Sequence, residues 1–247
     1  VDKVRTVSDT KREFYHLHTR PVNSIYRRFV EELMVETHLL SVNTDFRYDP
    51  IFALGVVSAF ERFMQGYNPE SDKQSILNAL AKSVGGDPDL YRQDAAAILE
   101  SAKQLTIAQL TQQISALDLA NLDSANSGNF LITTLKAIAQ RDQFKYSRLF
   151  AIGLYSLLVA IDPEAIKDEQ QRQQILEQFS VSLHLTPDKF QKDLELYRGN
   201  IDKFDQLLIA VADTIEADRK KRKDKQTLAE SKELLAAEDS ISDSSPS

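Results

Sequence analysis

Apolar and polar positions along this chain repeat at three- and four-residue spacing from end to end, which is the period of α-helices. In the N-terminal quarter, Val22, Ile25, Tyr26, Phe29, Leu33, Thr37 and Leu40 form one broad apolar face. Pro21 is expected at the first helical position, with Thr19 or Arg20 as its cap. The polar side carries Arg27, Arg28, Glu31 and Glu32, with Arg27–Glu31 and Arg28–Glu32 as i,i+4 neighbours. Such a face is either solvated surface or a charged docking surface. Next, Asp49-Pro50 pairs a capping Asp with a first-turn Pro, and Ile51 to Phe60 is apolar nearly all round. That segment reads as a buried core helix, about half the length needed to cross a bilayer.

Proline placement extends the all-α reading. Pro21, Pro50, Pro69, Pro88, Pro163 and Pro187 all stand where a helix is expected to begin. Asn68-Pro69-Glu70 opens a helix through Ile76, Leu80 and Val84 that Gly85-Gly86 ends, and Asp87-Pro88 opens another. A shorter segment runs from Thr106 to about Leu117, and Asp118 to Asn129 reads as loop. Helical spacing resumes at Phe130. Phe144 to Ile161 is the most apolar helix and is expected at the centre. A helix from Asp162-Pro163 through Ile166, Ile175, Leu176, Phe179 and Leu183 follows. No strand-type alternation and no hairpin turn interrupts this pattern.

From Thr186-Pro187 the pattern sharpens. Phe190, Leu194, Tyr197, Ile201, Phe204, Leu208, Val211 and Ile215 are spaced 4-3-4-3-4-3-4, a heptad seam of coiled-coil character. A helix to about Lys225 would be about 58 Å long. The expected organisation is a helical body over 1–185, a long C-terminal helix over 186–229, and a disordered acidic, Ser-rich tail over 230–247. The seam suits either packing on the chain's own body or a coiled coil between chains. Near its end, Arg219, Lys220, Lys221, Arg222 and Lys223 form a basic run, either a solvated helix end or an electrostatic docking surface.

Composition narrows the function. Of 247 residues, 42% are hydrophobic and 27% charged, ordinary for a globular protein with a real core. The net charge of −7 argues against a general nucleic-acid binder. Within residues 1–30, however, seven basic residues face three acidic ones. With no cysteine there are no disulfides, thiolates or cysteine metal sites. No secretory or transit segment precedes Thr6, so the sequence suggests a bacterial protein made where it works, or a processed one. The longest strongly apolar run, Leu149 to Ile161, is too short to span a bilayer, and any membrane association is expected to be peripheral or through a partner.

The search for a reaction centre is negative. There is no phosphate-binding Gly-rich loop and no nucleophile elbow. His16, His18, His38 and His184 lack metal-site spacing and read as structural or surface residues. No catalytic, cofactor-binding or metal residue is assigned. The candidate partner-binding residues are Arg20, Arg27, Arg28, Glu31 and Glu32, with Arg219 to Lys223 as a second set.

Two blocks carry a resemblance: TVSDTKREFYHLHTRPVNSIYRRFVEELMVETHLLSVN and FRYDPIFALGVVSAFERFMQGY. With GGDPDLYRQDA and KYSRLFAIGLYSLL, they resemble the thylakoid formation protein family of cyanobacteria and chloroplasts. The resemblance covers the chain to about Gln226. It implies an all-helical, non-enzymatic factor supporting photosystem II biogenesis and repair and thylakoid organisation. It also implies association with membrane-bound FtsH proteases, no cofactor, and a peripheral place on the cytoplasmic face of the thylakoid. Photosystem II assembly intermediates are further expected partners. A coiled-coil scaffold and a pigment-binding or chaperone-like assembly module are the alternative readings.

Overall fold

The computed structural model describes residues 5–115, 128–183 and 185–242, with side chains described through Lys223. All of its regular structure is helical: α1 (Val7–Leu17), α2 (Ser24–Ser41), α3 (Pro50–Phe63), α4 (Ser71–Ser83), α5 (Pro88–Ala102), α6 (Ile107–Ser115), α7 (Phe130–Ala139), α8 (Arg148–Ile161), α9 (Pro163–Lys167), α10 (Glu169–Ser182) and α11 (Pro187–Ser242). No strand occurs among the described residues.

Local chemistry accounts for most of these boundaries. Thr6 and Asp9 form a reciprocal capping box at the start of α1. Asp49, Asp87 and Asp162 each cap a helix whose first residue is proline. At the end of α4, Gly85 has φ +82°, and the N–H groups of Gly85 and Gly86 donate to Lys82 O and Ala81 O, both at 2.9 Å. That pair of bonds is the Schellman ending expected of Gly85-Gly86.

Other boundaries moved. Pro21 does not begin α2, because Asn23 caps it, accepting from the Ile25 N–H at 3.1 Å, and the helix starts at Ser24. Pro69 likewise precedes α4 by two residues. The single helix expected after Asp162 is two. Asp168 accepts from the Gln171 N–H at 2.8 Å and starts α10, while Arg172 donates to Ile166 O and Lys167 O at the end of α9. The helix expected from Phe144 begins at Arg148, where Ser147 caps it. The expected loop 118–129 lies outside the described residues except for Gly128 and Asn129, and Asn129 caps α7. Finally, α11 continues to Ser242, past the expected end near Lys225. The stretch TLAESKELLAAED is made almost wholly of good helix formers, with no Gly or Pro to stop it.

The chain divides into two compact units after Arg198. In the first, α3 and α8 pack most extensively, and α3 also packs on α5. Nearly every residue of α3 from Ile51 to Phe60 is buried, as are Leu149 to Leu154 of α8. Their backbones touch. A Cβ on Gly55 would lie 1.8 Å from Leu149 O, and one on Gly153 would lie 2.0 Å from Ile51 O. Only hydrogen at both positions permits this crossing. The body also holds Phe190, Leu194 and Tyr197 of α11, each under one-tenth exposed. Arg141 fastens the segment before α8 to the start of α3, donating to Arg47 O and Tyr48 O and lying 3.5 Å from Asp49 Oδ2. Burial raises the Asp49 carboxyl to about 6, against the Phe52 N–H and Arg141, which favour its charged form.

The second unit is the rest of α11, from Gly199. Ile201, Phe204, Leu208 and Val211 are half-buried there and Ile215 is 50% exposed. Among the described residues, no helix is long and apolar enough to cross a membrane.

Candidate partner-binding groove

The polar side of α2 faces an open groove of about 940 Å³, walled by Lys11 of α1 and by Ser147 and Arg148 at the start of α8. Arg27, Arg28, Glu31 and Glu32 all line it, so the structure brings four of the sequence candidates together. The opposite face of α2 is fixed by burial of Tyr26, Val30, Leu33, Met34 and Thr37. Behind the groove, Thr10 Oγ1 lies 2.9 Å from the buried His38 Nδ1, which ties α1 to α2. Phe29 stacks on Phe63, with ring centroids 4.4 Å apart, and seats α2 on α3.

Three ion pairs hold the groove's charged lining. Lys11 Nζ meets Glu31 Oε2 at 2.8 Å, and the Tyr15 hydroxyl donates to Glu31 Oε1 at 3.2 Å. Hydrogen bonding from Lys11 holds the Glu31 carboxyl below its ordinary range, while burial and then the Glu31 charge push the Tyr15 phenol up. Arg28 Nε meets Glu32 Oε1 at 2.9 Å, the expected i,i+4 pair. Arg148 binds Glu36 through Nη2 at 2.5 Å and Nε at 3.2 Å, joining α8 to α2. Burial opposes the Arg148 charge, but the Glu36 hydrogen bond and charge outweigh it and keep its pKa raised. The expected Arg27–Glu31 pair does not form, because Glu31 turns to Lys11 and Tyr15. Among the described residues Arg27 makes no ion pair.

Sequence reasoning missed the apolar part of this surface. Ser24, Arg28, Glu31, Val35, Leu39 and Val42 recur at three- and four-residue spacing and share the outward face of α2. Val35 and Leu39 line the groove, Leu39 is 57% exposed, and Val42 beyond it is 38% exposed. Apolar residues on the polar side of an amphipathic helix were a usable signal. Glu36, one turn beyond Glu32 on the same helix, was another, whereas Lys11 and Arg148 were not, since only the tertiary fold brings them to this side of α2.

The remaining candidates lie elsewhere. Arg20 is committed to Asp72, with Nη2 2.6 Å from the buried Oδ1. This contact is ionic rather than a well-aligned hydrogen bond, since that oxygen has no hydrogen-bond partner of proper geometry. His18 is buried beside it, with Nδ1 2.9 Å from Ser75 Oγ, and burial lowers its pKa. His184 lies outside the described residues. Arg219, Lys220, Lys221, Arg222 and Lys223 are exposed on α11 in the second unit. Among the described residues no three His, Cys, Asp or Glu side chains are grouped to hold a metal ion.

The described residues thus define an all-α protein with a long C-terminal helix and a salt-bridged surface groove on α2. Residues 6–226 match the family model described as thylakoid formation protein, and the chain belongs to that family. It is 54% identical over 228 residues to Protein Thf1 of Gloeothece citriformis, covering 92% of this chain and 99% of that one. It is 49% identical over 246 residues to Protein Thf1 of Synechocystis sp., covering 99% of each. The solved structure of Psb29 at 1.55 Å superimposes with a TM-score of 0.73 at 42% identity, covering 88% of this chain and 98% of that chain.

Proposed function

We propose that this chain is a non-enzymatic auxiliary factor for photosystem II biogenesis and repair. In this reading it is an adaptor that binds and stabilises thylakoid FtsH protease complexes from the cytoplasmic face, without spanning the membrane. Membership of the thylakoid formation protein family supports the setting. The observation that carries the adaptor role is the groove on α2, where paired charges surround exposed apolar side chains. A surface that holds its charges in place and leaves Leu39 in water is suited to a protein partner. Binding only the assembled protease would stabilise it by mass action, with no chemistry required. Photosystem II assembly intermediates fit the same description of partner.

The test is binding of the purified chain to detergent-solubilised thylakoid FtsH complex at low and moderate salt. Saturable binding that weakens with salt supports the reading. Absence of binding at both salt concentrations overturns it. The 56-residue α11 with its heptad seam favours a second reading, a scaffold built from paired chains. A monomeric mass by light scattering at high concentration would exclude that one.

A further inference from the structure

We infer that the α2 groove receives an amphipathic helical segment of the partner, with apolar side chains on Val35 and Leu39 and a carboxylate against Arg27. The inference rests on the adaptor reading and specifies its partner. Every glutamate lining the groove already has a cation: Glu31 has Lys11, Glu32 has Arg28 and Glu36 has Arg148. Four cations and three carboxylates leave the lining with a net charge of +1. Arg27 is the residue that supplies it, exposed and in no ion pair at contact distance among the described residues, its charge reaching Glu31 only from farther away.

A basic segment entering the groove would find only carboxylates already paired with a cation and would meet Arg27 head-on. An acidic one would gain a pair without breaking any existing bond. About three turns of α2 separate these functions, with the positive charge toward the N-terminal end and Leu39 toward the C-terminal end. The twelve residues from Arg27 to Leu39 span about 18 Å at 1.5 Å per residue. A partner helix of similar length reaches both, presenting apolar residues at i, i+4 and i+7. The walls from α1 and α8 are fixed by Lys11–Glu31 and Arg148–Glu36, so the groove needs little reorganisation on binding.

The probes are two fluorescein-labelled model helices with leucines at i, i+4 and i+7, one carrying glutamates at the end facing Arg27 and its twin carrying lysines. Anisotropy should show the wild-type chain preferring the acidic helix by about tenfold. Arg27→Glu should reverse that preference, and Leu39→Asp should weaken both helices by about tenfold or more. Both side chains are exposed, and unchanged circular dichroism and melting would show the variants folded. Binding without charge preference, insensitivity to Leu39→Asp, or no binding of either helix overturns the inference. So does binding only to anionic lipid vesicles, if Arg27→Glu abolishes it. Solubilised FtsH complex separates this from the adaptor reading. Binding of FtsH that ignores both substitutions removes the groove and leaves the adaptor. A charge reversal with the peptides but no FtsH binding does the opposite.

Discussion

Replacing Gly153 by alanine tests the packing that shapes the whole body. The added Cβ would stand 2.0 Å from Ile51 O, whereas ordinary contact begins at 3.4 Å. The obstructing atom is a backbone oxygen of α3, which cannot rotate aside as a side chain can. The two helices must therefore part by about 1.4 Å, along the interface that buries Leu54, Val56, Leu149 and Leu154. Overpacking of this kind costs about 3 kcal/mol or more. Alanine's better helix propensity returns about 1 kcal/mol. The net expectation is a loss of about 2 kcal/mol or more. Gly199→Ala is the internal control, because no atom beyond its own stretch of helix backbone lies within 4 Å of its Cβ position. There the propensity gain stands alone, and the variant should be more stable by about 0.5–1 kcal/mol. Urea unfolding followed by circular dichroism measures both, with the tyrosine signal reporting the first unit, since all eight tyrosines precede Gly199. A Gly153→Ala protein as stable as the wild type would refute the crossing geometry.

Two further outcomes follow from buried charge. Asp49 has a folded pKa raised from 3.8 to about 6, so its contribution to stability is full below the unfolded value and is lost as pH rises through the folded one. Asp49→Asn keeps a cap oxygen for the Phe52 N–H and does not titrate. The wild type should therefore lose up to about 3 kcal/mol relative to this variant as pH rises from 3.8 to about 6, and a pH-independent difference in urea midpoints would refute it. Arg148→Ala leaves Glu36, a side chain only 19% exposed, without its cation. The expected cost is about 1 kcal/mol in thermal or urea unfolding, discounted for the part of Arg148 that solvent reaches. Glu36→Gln should restore part of that loss in the double variant, and no restoration would argue against the pair.

The starts of α3, α5, α7, α9 and α11, and the burial of α3 and α8, are legible in local sequence. Asp49, Asp87 and Asp162 act within one turn of themselves, each followed by a proline whose φ is already helical, and Gly85-Gly86 ends α4 in the same local way. Composition alone marked α3 and α8 as core, because neither has a polar side to turn to water. The family was legible too, in the two long N-terminal blocks. The rest depended on packing between distant segments. Gly55 and Gly153 lie 98 positions apart, and nothing local shows that each leaves room for the other's helix. Arg27 and Arg28 were visible as a charged face, but Lys11 and Arg148 joined them only through packing, and Arg20 was drawn away by Asp72. Capping and propensity are settled over a few residues, and the chain records them openly. Which charges meet, and which apolar side chains remain in water, depends on contacts between distant segments that exist only after the helices have packed.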